Sequence, residues 1–311
     1  MLSYLQAVVI GLTQGVTELF PISSLGHSVL IPALIGGSWQ PLVTQSSTGD
    51  SGSSFYLAFI VALHVATATA LLLFFRKDWV RIIGGFFRSL RPSLAARRIV
   101  ADDPDSRLAW LIVIATIPVG ITGLALEHTF RTIFAKPLAA AIFLTINGVV
   151  LLVGERLRRR SEVALSGAPA GSGSTLKAQR RGTRPVTSLS YKEALGVGTF
   201  QIAALFAGIS RSGVAMVGGL TRGLSHEDAA RFSFLLATPV IFAAGVLKLP
   251  SLAGPSAAHI HGQILVGVLV AFVAAYLSIR FLVRYFETRT LTPFAIYSLV
   301  AGLLCVIRFS T

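Results

Sequence analysis

The chain has 311 residues, of which 53% are hydrophobic and only 13% charged, and its mean hydropathy is +0.74. Because an ordinary soluble domain has about 25% charged residues, this composition argues against a soluble protein and for one whose solvent is a lipid bilayer. The net charge of +14 lies at the ends of apolar runs and in the loops between them, which indicates membrane topology and not nucleic-acid binding. The single cysteine excludes an intrachain disulfide.

Six apolar runs, taken in chain order, approach the length that spans the hydrocarbon of a bilayer. They are Phe55–Phe75, Leu108–Leu126, Leu138–Gly154, Phe232–Leu247, Gly262–Ile279 and Pro293–Ile307. Arginine-rich segments follow the first and third runs, and the positive-inside rule places those segments in the cytoplasm. The segments after the second and fourth runs contain few basic residues, so we predict that they face outward.

A segment rich in Gly, Ser and Ala separates the third and fourth runs. It covers residues 161–190 and predicts a flexible cytoplasmic linker. The linker divides the chain into a first repeat, residues 1–160, and a second repeat, residues 191–311.

Each half begins with a stretch that is too polar, and too interrupted by Gly and Pro, for an ordinary span. Aligned without a gap, the two stretches share five identities, which pair Gly11 with Gly198, Gln14 with Gln201, Ile22 with Ile209, Ser23 with Ser210 and Gly26 with Gly213. The predicted topology makes them enter the membrane from opposite faces, and three spans follow each. We therefore predict an all-α polytopic membrane protein, with six transmembrane helices plus two re-entrant helical hairpins arranged as inverted repeats that meet near the midplane.

The first polar stretch contains several groups suited to phosphate chemistry. Pro21 is predicted to end one helix, and Ser23 or Ser24 to cap the next, which leaves backbone N–H groups that bind phosphate well. Glu18 is suited to hold a divalent cation, to act as a general base or to orient His27. Ser24 and His27, three residues apart, would share a helix face as nucleophile and base.

The second polar stretch contains an arginine at a depth where a charge is expensive. Gly208 permits a turn, Ser210 can cap the helix that follows, and Arg211 begins that helix. An arginine at the bilayer centre costs from about 2.5 to more than 10 kcal/mol, so it is normally kept for a partner or a function. Its planar fork suits a phosphate. The structural alternative is that Arg211 only pairs with Glu18 to hold the two halves together.

Both stretches resemble the hallmark motifs of the bacterial undecaprenyl-diphosphate phosphatases of the bacitracin-resistance type, and the resemblance covers essentially the whole chain. Gln14 to His27 fits Glu/Gln-x-x-x-Glu running into Pro-x-Ser-Ser-x-Gly-His. Ala207 to Ala215 fits Pro-Gly-x-Ser-Arg-Ser-x-x-Thr except at its ends, where Ala207 replaces Pro and Ala215 replaces Thr. Because the Thr hydroxyl is missing, Ala215 is left out of the predicted site.

The resemblance implies a multi-pass protein of the bacterial plasma membrane that hydrolyses undecaprenyl diphosphate to undecaprenyl phosphate and inorganic phosphate, so that the carrier lipid of cell-wall synthesis is reused. The catalytic residues are then predicted to be Glu18, Ser24, His27 and Arg211. The residues predicted to bind the substrate are Gln14, Ser23, Gly208, Ser210 and Ser212. A divalent cation, Mg²⁺ or Ca²⁺, is expected at Glu18. A homo-oligomer is compatible with the sequence, which does not fix the oligomeric state.

Three nucleophiles are compatible with these residues: Ser24 with His27 as its base, His27 itself, or a water activated by Glu18. Of these we select Ser24.

The main alternative function is that of a transporter or flippase for a lipid phosphate or another anion, because inverted repeats with opposed helix ends are also a transporter architecture. A carrier would need Arg211 and the capping serines but no nucleophile. A second lipid phosphatase family, which uses Ser-Arg-x5-His-x3-Asp, is rejected because Val217 and Thr221 stand at its His and Asp positions.

Overall fold

The computed structural model describes residues 2–47, 55–134, 136–166, 184–252 and 260–311. Within these ranges the chain is helical and forms no β-strand, although an isolated bridge joins Arg184 and Leu224. The helices are α1 (Tyr4–Thr17), α2 (Ser24–Ile35), α3 (Gln40–Ser47), α4 (Phe55–Phe74), α5 (Arg76–Ala96), α6 (Pro104–Phe134), α7 (Pro137–Ser166), α8 (Tyr191–Phe200), α9 (Arg211–Leu220), α10 (His226–Leu252), α11 (His261–Thr288) and α12 (Thr292–Ser310). Short 3-10 segments lie at Gly37–Trp39, Val186–Ser188 and Gln201–Leu205.

Five of the described helices are long and apolar enough to cross a membrane: Pro104–Leu126, Pro137–Arg160, His226–Gly245, His261–Thr288 and Thr292–Ser310. The pair α4 and α5 is a sixth candidate, bent by 84° where the two helices meet. The predicted class, an all-α protein that crosses the membrane several times, is therefore confirmed with five or six candidate spans. The helices extend beyond the predicted apolar runs because their charged ends continue the helical backbone.

The segment after the first predicted run is helical, whereas the sequence had assigned it only to a basic cytoplasmic segment. In α5 the apolar residues Val80, Ile83, Phe87 and Leu94 are all exposed and recur at helical spacing. Arginines occupy other positions of the same helix. An amphipathic helix of this kind lies in the interface plane of a membrane, which explains the sharp bend away from α4.

The ends of the predicted linker are ordered, and residues 167–183 lie outside the described ranges. On one side α7 continues to Ser166. On the other side the segment before α8 folds back on α6, where the Arg107 guanidinium donates to the carbonyl of Leu189 at 2.8 Å and to that of Thr187.

The two polar stretches are helical hairpins, as their Ser and Pro positions predict. In the first, α1 ends before Glu18, and α2 begins at Ser24 with the Ser23 hydroxyl accepting the Gly26 N–H at 3.2 Å. In the second, Ser210 caps α9 in the same manner and accepts the Gly213 N–H at 3.1 Å. The predicted capping roles of both serines are confirmed.

Glycines let each hairpin approach a helix from the other half of the chain. A Cβ atom at Gly11 would lie 2.6 Å from the Gly267 carbonyl oxygen of α11, and one at Gly15 would lie 2.5 Å from that of Ala271. Gly198 of α8 meets the Ala115 backbone of α6 with similar closeness. Backbones this close leave no room for a side chain, so these glycines fix where the hairpins lie.

Replacing Gly15 by Ala should therefore destabilise the protein, because the added methyl overlaps the α11 backbone. Overpacking of this kind costs ~1–3 kcal/mol. Gly120→Ala is the matched control, since a Cβ atom at Gly120 would meet nothing within 4 Å. Thermal unfolding of both variants in one detergent measures the effect, and equal melting temperatures would contradict the packing argument.

Candidate functional site

The two hairpins cross at a pair of glycines. A Cβ atom on Gly26 would lie 2.9 Å from the Gly208 Cα atom, so only glycine fits at this crossing. Gly208 has φ of +116°, which confirms its predicted role in the turn. Ser23 also has a positive φ, of 70°, and its hydroxyl accepts the Gly208 N–H at 3.1 Å as well as the bond that caps α2. A strained serine thus joins the hairpins directly.

Asn147 of α7 joins the hairpins a second time. Its side chain is fully buried; the Oδ1 atom accepts the Ser210 N–H at 3.0 Å, and the Nδ2 atom donates to the Pro21 carbonyl at 2.9 Å. Nδ2 also lies 3.2 Å from the Ser298 hydroxyl. The Asn147 amide therefore pairs with one backbone group from each hairpin. The sequence alone did not identify this residue, because only the folded chain brings it to the hairpins.

Glu18 lies at the centre of the site and is buried, with 8% of its surface exposed. Its Oε2 atom accepts the Ser24 hydroxyl at 2.5 Å and the Gln14 amide at 3.1 Å. Its Oε1 atom pairs with the Arg211 guanidinium, which also donates to the Ala237 carbonyl at 3.1 Å. Glu18 therefore contacts Gln14, and the pairing with Arg211 that the sequence offered as a structural alternative is present.

His64 of α4 is a site neighbour that lies within the first predicted apolar run. Its Nδ1 atom lies 2.8 Å from the Ile60 carbonyl, which can only accept, so Nδ1 carries a proton. Its Nε2 atom lies 3.4 Å from Oε2 of Glu18. The signal in the sequence was the cost of a polar ring within an apolar run.

His27 does not pair with Ser24 in this structure, which corrects the predicted nucleophile and base arrangement. Its Nδ1 atom donates to the Ser23 carbonyl at 2.7 Å. Its Nε2 atom is then the acceptor of a hydrogen bond from the Tyr297 hydroxyl, with the nitrogen and oxygen 2.8 Å apart. Because the α2 backbone turns the imidazole towards its own cap, the Ser24 hydroxyl reaches Glu18 instead.

The serines of the second hairpin point at the turn of the first. The Ser210 and Ser212 hydroxyls lie 2.9 Å apart, and Ser212 donates to the Phe20 carbonyl at 3.3 Å. The predicted substrate-binding residues thus meet between the two capped helix starts. Such helix starts, with an arginine beside them, form a site for an anion.

A cation at this site would find two oxygen donors. Beside the Glu18 carboxylate, the Gln14 Oε1 atom is buried and has no hydrogen-bond partner. Mg²⁺ usually keeps several waters and is bound through one or two carboxylates together with substrate phosphates, whereas Ca²⁺ also takes amide oxygens. The Glu18 carboxylate therefore fits either ion, and the Gln14 amide oxygen adds a ligand suited to Ca²⁺. No group of three or more His, Cys, Asp or Glu side chains suited to a metal occurs in the described ranges.

An apolar cleft of about 510 Å³ borders the site. It lies between the first hairpin and α12, and His27 and Tyr297 are among its polar lining residues. Its other lining residues are Leu12, Thr13, Val16, Thr17, Phe20, Ile22, Ile31, Pro293 and Phe294. The cleft therefore offers an apolar chain a place directly beside the anion site.

Together, fold and site define a multi-pass membrane protein with a buried polar centre in which a carboxylate accepts a serine hydroxyl and pairs with an arginine. The chain belongs to the family described as bacitracin resistance protein BacA, whose sequence model matches residues 7–304.

Similar curated proteins share this length and are all named as undecaprenyl-diphosphatases. An undecaprenyl-diphosphatase 2 of Frankia alni is 60% identical over 99% of this chain and 98% of its own. The undecaprenyl-diphosphatase of Mycolicibacterium paratuberculosis is 58% identical over 97% of this chain and 95% of its own. An undecaprenyl-diphosphatase 2 of Burkholderia lata is 43% identical, with 96% and 94% covered.

Replacing Asn147 by Leu should destabilise the hairpin crossing, because the Ser210 N–H and the Pro21 carbonyl lose their partner. Each buried polar group left unpaired costs ~1–3 kcal/mol. Thr116→Val is the control, since the Thr116 hydroxyl bonds only the Ile112 carbonyl of its own helix, at 2.8 Å. Thermal unfolding in detergent compares the stability of the two variants. An Asn147→Leu variant as stable as Thr116→Val would show that the Asn147 hydrogen bonds contribute little to stability.

Proposed function

We propose that this protein is an integral membrane phosphatase that hydrolyses undecaprenyl diphosphate to undecaprenyl phosphate and inorganic phosphate. The observation that carries the proposal is the Ser24 hydroxyl bonded to buried Glu18 beside Arg211, in a chain of the BacA family. Relatives named undecaprenyl-diphosphatase, matched over nearly the full length, support the same activity. The carrier alternative has no observation in its favour, since transport requires no serine and carboxylate pair.

The diphosphate binds where the two helix starts meet. Arg211 turns from Glu18 to the phosphate oxygens and neutralises them, and the backbone N–H groups at the starts of α2 and α9 complete the anion site. The hydroxyls of Ser23, Ser210 and Ser212 line the same space. The isoprenoid chain leaves through the apolar cleft, whose lining matches it in polarity.

Ser24 is the nucleophile and Glu18 its base. The Ser24 oxygen attacks the terminal phosphorus while its proton passes to Glu18, and the bridging P–O bond breaks to release undecaprenyl phosphate. A water then attacks the phosphoserine, its proton moves to the serine oxygen as the Ser–P bond breaks, and phosphate leaves. Glu18 returns its first proton to the departing phosphate. The chemistry needs mainly charge neutralisation in the transition state, which Arg211 and the helix ends supply.

His27 and Tyr297 both line the cleft, and the lipid phosphate enters the cleft beside them. With its Nδ1 atom bonded to Ser23, the imidazole holds that strained residue in place and presents its other side to Tyr297. His64 lies 3.4 Å from Oε2 of Glu18, the oxygen that also accepts the Ser24 hydroxyl, and helps to orient the carboxylate.

Glu18 and Gln14 are the residues that would hold the divalent cation. When bound, Mg²⁺ or Ca²⁺ neutralises charge on the phosphate oxygens. The Gln14 amide oxygen has no hydrogen-bond partner in this structure, and this supports the proposal that Gln14 is a ligand of the cation.

The proposed architecture has six spans and two re-entrant hairpins in inverted repeats, residues 1–160 and 191–311, joined through a cytoplasmic linker. Paired packing supports it: α1 contacts α11, and its counterpart α8 contacts α6 of the other half. The aligned residues Gly11 and Gly198 both lie at these contacts. The protein resides in the bacterial plasma membrane.

Ser24→Ala and Arg211→Gln should each reduce phosphate release from undecaprenyl diphosphate by two or more orders of magnitude, since both remove groups that act in the transition state. Ser28→Ala, one turn further along α2, is the matched control because the Ser28 hydroxyl bonds only the local Leu25 carbonyl, at 2.9 Å. Phosphate release by purified protein in detergent with Mg²⁺ measures the effect.

Three outcomes separate the assignments. Turnover retained in Ser24→Ala would replace the serine by a water activated by Glu18 and leave the hydrolase intact. Wild-type protein that binds the lipid yet releases no phosphate with any divalent cation would overturn hydrolysis in favour of a carrier. Loss of turnover in Ser28→Ala would show that loss of any serine hydroxyl on α2 inactivates the protein, and the loss in Ser24→Ala would then not identify Ser24 as the nucleophile.

Gln14→Leu should raise the Mg²⁺ concentration needed for half-maximal activity by about tenfold or more, because a ligand oxygen is lost. Gln201→Leu is the control: Gln201 is the repeat counterpart, is equally buried and also has an unpartnered Oε1 atom, but its amide bonds the Ala115 carbonyl. Mg²⁺ titrations of phosphate release compare them. An unchanged midpoint in Gln14→Leu would remove that residue from the cation site.

A further inference from the structure

Three arginines at the carboxyl-terminal end of α11 form no ion pair within the described residues. Arg280, Arg284 and Arg289 are exposed, and none forms an ion pair with a carboxylate in the described part of the chain. Glu287 is also exposed on this segment and pairs with none of them. The three cations are therefore available to a ligand.

These arginines surround a pocket of about 420 Å³. Its lining residues are Leu277, Arg280, Phe281, Arg284, Tyr285, Thr288 and Arg289. A guanidinium binds phosphate oxygens in a bidentate fashion, so the pocket has the charge and the donors that suit a phosphate group.

An apolar stripe leads along α11 to this pocket. Leu265, Leu269, Val273 and Leu277 follow one another at intervals of four residues and are 59%, 56%, 54% and 58% exposed. Side chains at this spacing lie on one helix face. In a membrane-spanning helix such a face contacts acyl chains, so a phosphate in the pocket would have its hydrocarbon chain beside the stripe.

We propose that this pocket, which we call the arginine pocket, is a binding site for an anionic phospholipid of the cytoplasmic leaflet. The phosphate lies among Arg280, Arg284 and Arg289, and an acyl chain lies along the stripe. Basic pockets at the cytoplasmic side of transmembrane helices bind anionic head groups. The inference goes beyond the hydrolysis and does not depend on it; it depends only on the proposed orientation, which places the end of α11 in the cytoplasm.

The arginine pocket lies close to the catalytic turn but is separate from it. The Phe281 ring stacks on Phe20 with centroids 5.9 Å apart, and the Phe20 carbonyl accepts the Ser212 hydroxyl. The test therefore leaves Phe281 unchanged and alters only the exposed arginines.

The experiment titrates phosphatidylglycerol and phosphatidylcholine against the purified full-length protein and counts bound lipids by native mass spectrometry. The variant is Arg280→Gln with Arg284→Gln. The matched control is Arg91→Gln with Arg98→Gln, two exposed arginines on and just after α5 at the same proposed membrane face. Equal melting temperatures of the three proteins verify folding.

A hydrogen bond to a charged group contributes roughly a tenfold gain in affinity or more, so phosphatidylglycerol should bind the arginine-pocket variant, which loses two such donors to the phosphate, about 100-fold more weakly. The control should change less than twofold, and phosphatidylcholine binding should be unaffected in both. Equal losses in variant and control would overturn the proposal in favour of general surface charge. So would wild-type binding that does not distinguish the two lipids, or phosphatidylglycerol displaced by undecaprenyl phosphate at lower concentration.

Discussion

The ion pair between Glu18 and Arg211 is the interaction on which the rest of this structure depends. Each partner comes from a different hairpin, and either charge alone in a membrane interior would be expensive. Removing one partner of a buried pair costs ~3–5 kcal/mol, because the other charge remains uncompensated. The pair therefore requires the hairpins to meet, and the glycines at Gly26 and Gly208 allow the backbones to come close enough.

The polar groups around this pair follow a single requirement, which is that no backbone group at this depth stays unpaired. Ser23 and Asn147 meet it by joining the two hairpins, and Ser210 and Ser212 by facing the Phe20 carbonyl. Hydroxyls and backbone N–H groups held in this way need little rearrangement when an anion arrives. The proposed binding site and the joint between the hairpins are thus built from the same serines and backbone groups.

Local chemistry made much of this fold and site predictable. Caps at Ser23 and Ser210 and the meeting of Glu18 with Arg211 follow from propensities and from the cost of isolated charge. Pro21 is predicted to end the first helix, but α1 already ends at Thr17 and Pro21 lies in the turn that follows. What the sequence missed depends on orientation within the folded chain. Asn147 and Tyr297 are distant in sequence from the residues that they contact, and the ring direction of His27 is set by its own helix cap. Spacing alone placed that imidazole beside Ser24, whereas the folded backbone gives this position to Glu18.

The bond between Arg211 and the Glu18 carboxylate also has a consequence for how a reaction product departs. A carboxylate tethered next to an arginine competes with any free anion for the same guanidinium, at the high effective concentration of an intramolecular partner. Inorganic phosphate released from the lipid would therefore compete with the Glu18 carboxylate for Arg211. The intact diphosphate carries more charge and would displace the carboxylate more readily. Under the proposed function, the return of Glu18 to Arg211 would favour release of phosphate before the next lipid binds.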